Sequence, residues 1–323
     1  MNIVVLDGYT LNPGDLDWSG LQALGEVTVY DRTPAELVVE RALDADLVLT
    51  NKTPLRAESL ERLPKLQYIG VLATGYDVVD VSAADRKGVT VTNVPNYGTD
   101  SVAQFVFALI LELTNRVGLH SDSVHAGAWS ASPDFSYWRS PLTELSGKTL
   151  GIIGIGRIGS RTAEIAAAFG MKVKGYAPRT KALPAGSPIE LADMDEVLRS
   201  SDFLSLHCPL TDDTRELVNR TTIAKMKPSA FVINTARGAL IREVDLADAL
   251  REGRLAGAAL DVLTREPPEA SSPLLGLPNC VITPHIAWAS REARARLLRQ
   301  AVDNVRDFLD GAPSNVVRPA GAK

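Results

Sequence analysis

The sequence has few cysteines and no long hydrophobic segment. Only two of its 323 residues are cysteine, Cys208 and Cys280; they are too few for a disulfide framework, and their spacing is not that of metal ligands. We therefore expect a reducing, cytoplasmic environment. The longest apolar segment, VAQFVFALILEL from Val102, is too short to cross a bilayer and is typical of a buried helix. The opening MNIVVLDG has no basic leader, so we expect neither a signal peptide nor a membrane partner.

Charge and histidine content argue against two further classes of protein. The formal net charge of −5 disfavours nucleic acid as the main partner, because such partners select basic surfaces. The four histidines show no metal-ligand spacing and no metal motif is present, so we expect no metal site. These histidines are His120, His125, His207 and His285.

Short apolar runs alternate with helix-like stretches along nearly the whole chain. The first half contains NIVVLD, VTVYD, DLVLTN, LQYIGVLA and VTVTNV, and the second contains TLGIIG, KVKGYA, FLSLHC, AFVINTA, AGAALDV and VITPH. Each run is rich in Val and Ile and is bounded by turn residues, as buried parallel strands are. The alternation predicts βαβ units, and the two sets of five and six strands predict two α/β domains.

The ends of two helices can be read from the sequence. Ser101, three residues before Gln104, has the pattern of a capping box that starts the apolar helix, so we place the first domain crossing near residue 98. A last helix is predicted from Ser290 to Asp310, and it ends at Gly311. Its apolar positions recur along one face: Ala293, Leu297, Ala301, Val305 and Leu309. The pattern alone leaves open whether this helix packs back on the first domain.

A glycine-rich turn follows the first strand of the second set. Gly154, Gly156 and Gly159 form GxGxxG between a predicted strand and a predicted helix, which is typical of dinucleotide binding. The first glycine allows a tight turn, the second lets the backbone approach a pyrophosphate, and the third lets helix and strand pack closely. Amides around Arg157 and Ile158 are expected to face the phosphates. The alternative is a glycine turn with a structural role only.

The next strand ends without the acidic residue that usually binds the adenosine ribose. Ala177 stands at that position, and Arg179, Thr180 and Lys181 follow it. An aspartate there would repel a 2′-phosphate, whereas these basic residues can bind one. We therefore expect NADP(H) in preference to NAD(H). NAD(H) remains the alternative, with the basic loop solvated.

Polar residues follow the later strands of the second set. Thr235 and Arg237 come after one strand, Asp261 and Glu266 after the next, and His285 after the last. Because parallel strands end at one edge of a sheet, we expect an anion clamp, a carboxylate and an imidazole to lie together. Histidine is the commonest side chain for proton transfer near neutral pH. His207 also follows a strand and is the rival proton donor.

Several of these segments, in order, resemble the motifs of the D-isomer-specific 2-hydroxyacid dehydrogenases. The segments are LATGYDVVD, NVPNYGTDSVAQ, GIIGIGRIG, LHCPLT, INTARGALI, ALDVLTREPP and TPHIAW. The resemblance implies two doubly wound domains with the active site in a cleft between them. One is a flavodoxin-like substrate domain, residues 1–98 plus 288–323, and the other is a Rossmann cofactor domain, residues 99–287. LDGYTLNPGDLDW and YWRSPLTELSGKTLGIIG further resemble the glycerate dehydrogenase branch, which includes hydroxypyruvate and glyoxylate reductases.

The resemblance also implies roles for individual residues. Arg237 would bind the carboxylate and carbonyl oxygen of a 2-oxo acid, His285 would exchange the proton, and Glu266 would orient His285. Backbone amides of Ala73, Thr74 and Gly75 would hold the substrate carboxylate, with Tyr97 lining the same pocket. Further positions match residues that touch the cofactor: Cys208, Pro209, Thr214, Thr235 and Asp261.

The family also implies a homodimer, formed through residues 101–146. The expected reaction is hydride transfer between the nicotinamide and a small 2-oxo or D-2-hydroxy acid, most closely glyoxylate or hydroxypyruvate reduction. The alternative is a dinucleotide-sensing interaction protein, similar to corepressor relatives that keep this fold and bind protein partners without metabolic turnover.

Overall fold

The computed structural model describes residues 1–180 and 182–319. Contacts between Cα atoms divide the chain into two units. Unit 1 is Met1–Gly98 together with the C-terminal segment from Ala289, and unit 2 is Thr99–Trp288. The C-terminal helix therefore belongs to the same unit as the N-terminal strands.

The strands alternate with helices in both units. The strands are β1 (Asn2–Val5), β2 (Glu26–Val29), β3 (Leu47–Thr50), β4 (Tyr68–Val71), β5 (Thr90–Thr92), β6 (Thr149–Ile153), β7 (Lys172–Tyr176), β8 (Ile189–Leu191), β9 (Phe203–Leu206), β10 (Phe231–Asn234), β11 (Gly257–Leu260) and β12 (Cys280–Ile282). The α-helices are α1 (Ser19–Gln22), α2 (Val38–Ala42), α3 (Ala57–Glu61), α4 (Val81–Arg86), α5 (Thr99–Asn115), α6 (Val117–His125), α7 (Arg157–Ala168), α8 (Met194–Ser200), α9 (Arg220–Ile223), α10 (Glu243–Arg251) and α11 (Arg291–Leu309). Two 3₁₀ turns cover Ala35–Leu37 and Gly238–Leu240.

Unit 1 contains a five-stranded parallel sheet in the order β2-β1-β3-β4-β5. This is the flavodoxin-like order, so the predicted fold class of the first domain is confirmed. All four residues of β3 and of β4 are buried, which explains why their sequences are continuous apolar runs instead of alternating ones.

The C-terminal helix α11 closes one face of unit 1. The side chain of Ser290 accepts a hydrogen bond from the Ala293 amide and caps the helix, which ends at Asp310 before Gly311 (φ +77°). The predicted bounds of this helix are therefore confirmed. Beyond it, Val316 forms an antiparallel bridge with Thr92, so the C-terminal segment pairs with β5.

Unit 2 contains a seven-stranded parallel sheet in the order β12-β11-β10-β9-β6-β7-β8. Its first six strands in chain order follow the Rossmann order, which reverses direction between β6 and β9. The expected set of six strands was one too few, because β8 was missed. Only its first residue is buried, and three residues at a sheet edge produce no apolar run.

The apolar helix α5 begins three residues earlier than a cap at Ser101 would place it. Thr99 is its first residue, and the Ser101 hydroxyl donates to the Ala287 carbonyl at 2.9 Å, so the predicted cap at Ser101 was wrong. As predicted, α5 is a buried helix. Across residues 1–180 and 182–319 no single helix is long and apolar enough to span a membrane; only α5 and α6 together, bent by 54°, reach that length and hydropathy.

Candidate active site

The candidate residues of unit 2 follow neighbouring strands of its sheet. Arg237 lies after β10, Glu266 after β11 and His285 after β12. Backbone hydrogen bonds continue past the strands, because the Asp261 amide donates to the Asn234 carbonyl at 2.9 Å and the His285 amide donates to the Asp261 carbonyl at 2.8 Å. The sheet thus brings these three strand ends together at its carboxyl edge, as the sequence predicted.

His285 and Glu266 form a hydrogen-bonded pair. The Nδ1 atom of His285 lies 2.6 Å from Oε2 of Glu266, while Oε1 of Glu266 accepts from the Leu263 amide at 3.0 Å. An ionised carboxylate can only accept, so Nδ1 carries the proton and the ring orientation is fixed. The imidazole side chain is 31% exposed. Its Nε2 atom has no partner in the described part of the chain, which leaves it free to exchange a proton with a ligand.

The buried carboxylate of Asp261 fixes the backbone around His285. It is 1% exposed and accepts three hydrogen bonds, from the Thr283 hydroxyl (2.6 Å), the Ile286 amide (2.9 Å) and the Ala287 amide (2.8 Å). His285 has a φ of +55°, a region that is costly for a residue with a side chain. The hydrogen bonds from both sides of His285 to Asp261 hold this conformation in place.

Arg237 projects from a turn that is held by Asn234. The fully buried Asn234 accepts from the Ala236 amide at 3.0 Å and donates to the Arg237 carbonyl at 2.9 Å. The guanidinium is exposed, and its Nη1 donates to the Ala236 carbonyl at 2.8 Å. A side chain at Gly238 would overlap the backbone of Leu263 and Thr264, so this turn packs directly on the segment that leads to Glu266.

Sequence reasoning missed Asn234 and Gly238. The signal was present in INTARG, since an asparagine at a strand end followed by small residues is typical of a side-chain-closed turn. The close approach of Gly238 to Leu263, by contrast, joins segments on different strands and leaves no local trace.

The three glycines of the GxGxxG turn have different requirements. Gly154 has a φ of +100°, and a Cβ atom there would overlap the Cys208 backbone; at Gly159 it would overlap the Gly154 carbonyl. The protein's own packing therefore explains both glycines. Gly156 has extended backbone angles, and a Cβ atom there would meet no atom within 4 Å. Neither conformation nor packing requires this glycine, so the space over it suits a ligand that approaches the backbone.

Helix α7 begins directly at this turn. Arg157 and Ile158 form its first turn, and no side chain caps its N-terminus at Gly156. The amides of a first helical turn have no partners within the helix and favour anions. The turn therefore offers the environment that a pyrophosphate needs.

The basic loop follows β7 beside the glycine turn. The Gly154 amide donates to the Tyr176 carbonyl at 2.9 Å, and the Thr180 amide donates to the Ala177 carbonyl at 3.0 Å. Arg179 is exposed and makes no hydrogen bond or ion pair to any residue in the described ranges. Lys181, which the sequence also assigned to this loop, lies outside the described residues.

The remaining candidate cofactor residues also follow strands of this sheet. Thr235 has a buried hydroxyl oxygen with no hydrogen-bond partner in the described structure, which is unusual for a buried polar atom and suits a ligand contact. Thr214 donates its hydroxyl proton to the Pro209 carbonyl at 2.7 Å, so it can meet a ligand only as an acceptor. Cys208 is a buried free thiol, and burial raises its pKa.

The rival proton donor, His207, has a different environment. Its Nε2 atom pairs with the Ser205 hydroxyl at 2.9 Å, and burial lowers the pKa of His207 from its ordinary value to about 4. The imidazole is therefore neutral at pH 7 and lacks the second ring proton that an imidazolium donates as a general acid.

In unit 1 a loop follows β4 at the corresponding edge of the other sheet. The Ala73 carbonyl accepts from the Val94 amide at 3.0 Å, and the Thr74 carbonyl accepts from Nδ2 of Asn93 at 2.7 Å. Within residues 1–180 and 182–319, nothing accepts from the amides of Ala73, Thr74 and Gly75. Tyr97, also assigned to substrate, is half-buried, and its carbonyl accepts from Nε of Arg296 at 2.9 Å.

Fold and site together define a dehydrogenase of the two-domain α/β type. The model of the NAD-binding domain of D-isomer specific 2-hydroxyacid dehydrogenases matches residues 107–287. The chain belongs to this family, and it is an oxidoreductase that uses a nicotinamide cofactor.

Individual relatives match almost end to end. A hydroxypyruvate reductase of Blautia hydrogenotrophica is 52% identical over 320 residues, which cover 98% of this chain and 99% of that protein. A glycerate dehydrogenase of Methylorubrum extorquens is 43% identical over 88% of this chain and 89% of the relative. Among solved structures, an acyclic imino acid reductase in complex with NADPH and D-Arg is similar with a TM-score of 0.83 and 32% identity, over 98% of this chain and 100% of that one.

Proposed function

We propose that this protein reduces glyoxylate or hydroxypyruvate to the corresponding 2-hydroxy acid, with NADPH as the preferred cofactor. The observation that carries the proposal is the His285–Glu266 hydrogen bond, at the strand ends where Arg237 also projects. A fixed imidazole and a guanidinium are what reduction of a 2-oxo acid needs from the protein. The substrate follows from the names of the relatives, hydroxypyruvate reductase and glycerate dehydrogenase.

The residues around the glycine turn fit a bound dinucleotide. The open space over Gly156, the uncapped start of α7 and the unpartnered hydroxyl of Thr235 are all explained by such a ligand. Gly154, Gly159, Arg157 and Ile158 would hold the pyrophosphate, and Cys208, Pro209, Thr214, Thr235 and Asp261 would contact the remainder. When bound, the nicotinamide supplies or accepts the hydride.

Arg237 and His285 manage the charge of the substrate. The exposed guanidinium of Arg237 binds the carboxylate and the adjacent carbonyl oxygen through its fork of donors. As the 2-oxo group is reduced, negative charge grows on its oxygen, and Nε2 of His285 donates a proton to that oxygen. Glu266 accepts the hydrogen bond from Nδ1 and so holds the ring in place. In the oxidation direction, His285 takes the proton back.

The amides of Ala73, Thr74 and Gly75 are the proposed second carboxylate site. Within the described ranges these amides have no acceptor, while the carbonyls of Ala73 and Thr74 already accept bonds from Val94 and Asn93. A loop with two paired carbonyls and available amides suits an anion. Tyr97 is proposed to line the same pocket.

The preference for NADPH rests on Ala177 and Arg179. No carboxylate repels a 2′-phosphate at Ala177, and Arg179 is exposed without an ion pair in the described structure. Thr180 lies next to it and supplies a hydroxyl, and Lys181 adds a second charge to the sequence of the loop.

We also propose a homodimer formed by unit 2. Residues 117–142 expose large apolar side chains, among them Phe135 (91% exposed) and Trp138 (70%). A groove of about 420 Å³ lies between α5 and α7, lined by apolar side chains that include Phe107, Leu111 and Phe169. Apolar surfaces of this kind are typical of a subunit interface, and a second copy of the chain would cover them.

The first experiment measures turnover and cofactor preference together. Purified protein is mixed with hydroxypyruvate or glyoxylate, and the absorbance of NADPH or NADH is followed in parallel. The proposal expects turnover with both oxo acids and a higher kcat/KM with NADPH. A preference for NADH would contradict the assignment of Arg179, and no turnover with either cofactor would contradict the proposed reaction.

A further inference from the structure

We propose that Asn304, on the C-terminal helix, is a positioning residue for the loop Ala73–Gly75 and thereby sets the affinity for the oxo acid. The inference rests on the proposed function, because that function assigns the carboxylate of the substrate to this loop. Among the described residues, no hydrogen bond joins Asn304 to the loop directly. Asn304 acts through Asn93, and all of the contacts lie within unit 1.

Asn93 connects the loop to the rest of unit 1. Its Nδ2 donates to the Thr74 carbonyl at 2.7 Å, and its own carbonyl accepts from Nδ2 of Asn304 at 2.9 Å. The next residue, Val94, bonds to the same loop, because its amide donates to the Ala73 carbonyl at 3.0 Å and its carbonyl accepts from the Thr74 hydroxyl at 2.9 Å. The loop is thus held through the carbonyls of Ala73 and Thr74 and the hydroxyl of Thr74, and none of these bonds uses its backbone amides.

The side chain of Asn304 is buried and hydrogen-bonded through both of its polar atoms. It is 1% exposed, and its Oδ1 accepts from Nδ2 of Asn315 (2.8 Å), Nε2 of Gln300 (3.2 Å) and the Ser314 hydroxyl (3.3 Å). This fixes the amide orientation, so that Nδ2 must face the Asn93 carbonyl. An aspartate could not donate in its ionised form, and a leucine could not bond at all.

The C-terminal segment forms the other side of the same connection. The Asn93 amide donates to the Asn315 carbonyl at 3.2 Å, and the Val317 amide donates to the Val91 carbonyl at 2.8 Å. The backbone of Asn93 is therefore held on both sides: its carbonyl bonds to Asn304, and its amide bonds to Asn315, whose side chain also bonds to Asn304. Buried amide networks of this kind specify a unique geometry, because each unmade bond leaves a polar group without a partner.

The test uses Asn304→Leu, Asn93→Ala and the double variant. Loss of one such hydrogen bond is expected to raise the KM for hydroxypyruvate by about 5- to 20-fold. We expect kcat to stay within about twofold of the wild type, because the lost contact binds the substrate and the transition state equally. The Kd of NADPH should also stay within about twofold, because unit 2 is unchanged. The fold-increase in KM of the double variant should be smaller than the product of the fold-increases of the two single variants, because both substitutions act on one connection.

Asn12→Ala is the matched control. Asn12 is a buried asparagine of the same unit whose side chain makes three hydrogen bonds, all to Gly14 and Leu16, beside the four of Asn304. The Asn12→Ala variant should lower the melting temperature, as Asn304→Leu does, but leave the KM for hydroxypyruvate unchanged. An unchanged KM in Asn304→Leu, or single effects that multiply in the double variant, would overturn the proposal.

A second readout does not depend on turnover. Hydrogen exchange of peptides covering residues 89–96 reports the Val94 amide, which donates to the loop. Its exchange should accelerate in Asn304→Leu and not in Asn12→Ala. If the wild-type protein reduces no 2-oxo acid, the proposed function fails, while this exchange still decides whether Asn304 holds the loop.

Discussion

Replacing His285 with glutamine tests the proposed proton donor. The 2.6 Å contact with Glu266 holds the proton of Nδ1, so Nε2 is the atom that works on the substrate. A positioned acid contributes about a hundred- to ten-thousand-fold to the rate, which corresponds to about 3–5 kcal/mol in the barrier. We therefore expect kcat for hydroxypyruvate reduction to fall by that factor in His285→Gln.

The matched control is His207→Gln, because both histidines lie within three residues of a strand end in one sheet. Burial lowers the pKa of His207 to about 4. At pH 7 roughly one molecule in a thousand then carries the proton, so this side chain cannot act as the acid. Its replacement should change kcat by less than about threefold, a small effect beside the loss of a positioned acid.

The assay is the loss of NADPH absorbance at saturating oxo acid, with the Kd of NADPH measured separately by fluorescence. Both variants should bind NADPH as the wild type does, since neither side chain is assigned to the cofactor. Turnover of His285→Gln within about tenfold of the wild type would be too fast for the loss of a positioned acid and would refute the assignment. A collapse of activity in His207→Gln alone would transfer the role to His207.

Three further predictions concern the cofactor site and stability. Arg179→Ala should raise the KM for NADPH by about 10- to 100-fold and leave that for NADH unchanged, because only the 2′-phosphate loses a charge-assisted contact; equal effects on both cofactors would contradict the assignment. Gly156→Ala should weaken NADPH binding without lowering the melting temperature, whereas Gly154→Ala should lower it, since only Gly154 has a positive φ and no room for a side chain; calorimetry and cofactor titration separate the two. Because the pKa of His207 is lowered from 6.5 to about 4, the unfolded chain binds a proton that the folded chain does not, so stability falls as the pH falls through this window, by at most about 1.4 kcal/mol per pH unit. Urea unfolding measured at pH 7 and at pH 5 should show that the free energy of unfolding falls less in His207→Gln than in the wild type.

Most of the fold could be predicted from the sequence, because central parallel strands are buried on both faces and therefore form continuous apolar runs. β3 and β4 have no exposed residue, and their continuous apolar runs stand out between turn residues. β8 lacks this signal, since it is a short edge strand with Glu190 and Leu191 exposed. The start of α5 was misplaced for another reason: the Ser101 hydroxyl, which resembles a cap, bonds to Ala287 far along the chain.

The site could be predicted only in part, because contacts between segments that are distant along the chain leave no local pattern in the sequence. Residues at strand ends can be placed at one sheet edge from the strand pattern, which is how Arg237 and His285 were chosen. The hydrogen bond between His285 and Glu266 spans 19 residues of chain and depends on the loop after β11. No periodicity reports the path of such a loop. The three bonds to Asp261, from Thr283, Ile286 and Ala287, likewise form only once β11 and β12 are paired.

The geometry of the proposed chemistry is fixed by main-chain bonds that continue the sheet. Asn234, Asp261 and His285 are joined strand to strand by their backbones, so their positions do not depend on the side chains that meet a substrate. A relative with 32% identity and the same fold is an imino acid reductase, which acts on a different substrate class. The same overall fold therefore occurs with different substrate classes. On the proposed function, the carboxylate that all 2-oxo acids share also binds in unit 1, where the loop Ala73–Gly75 is held by residues separate from these strand ends. Substitutions along the Asn93–Asn304 connection should then raise the KM of every 2-oxo acid before they alter kcat.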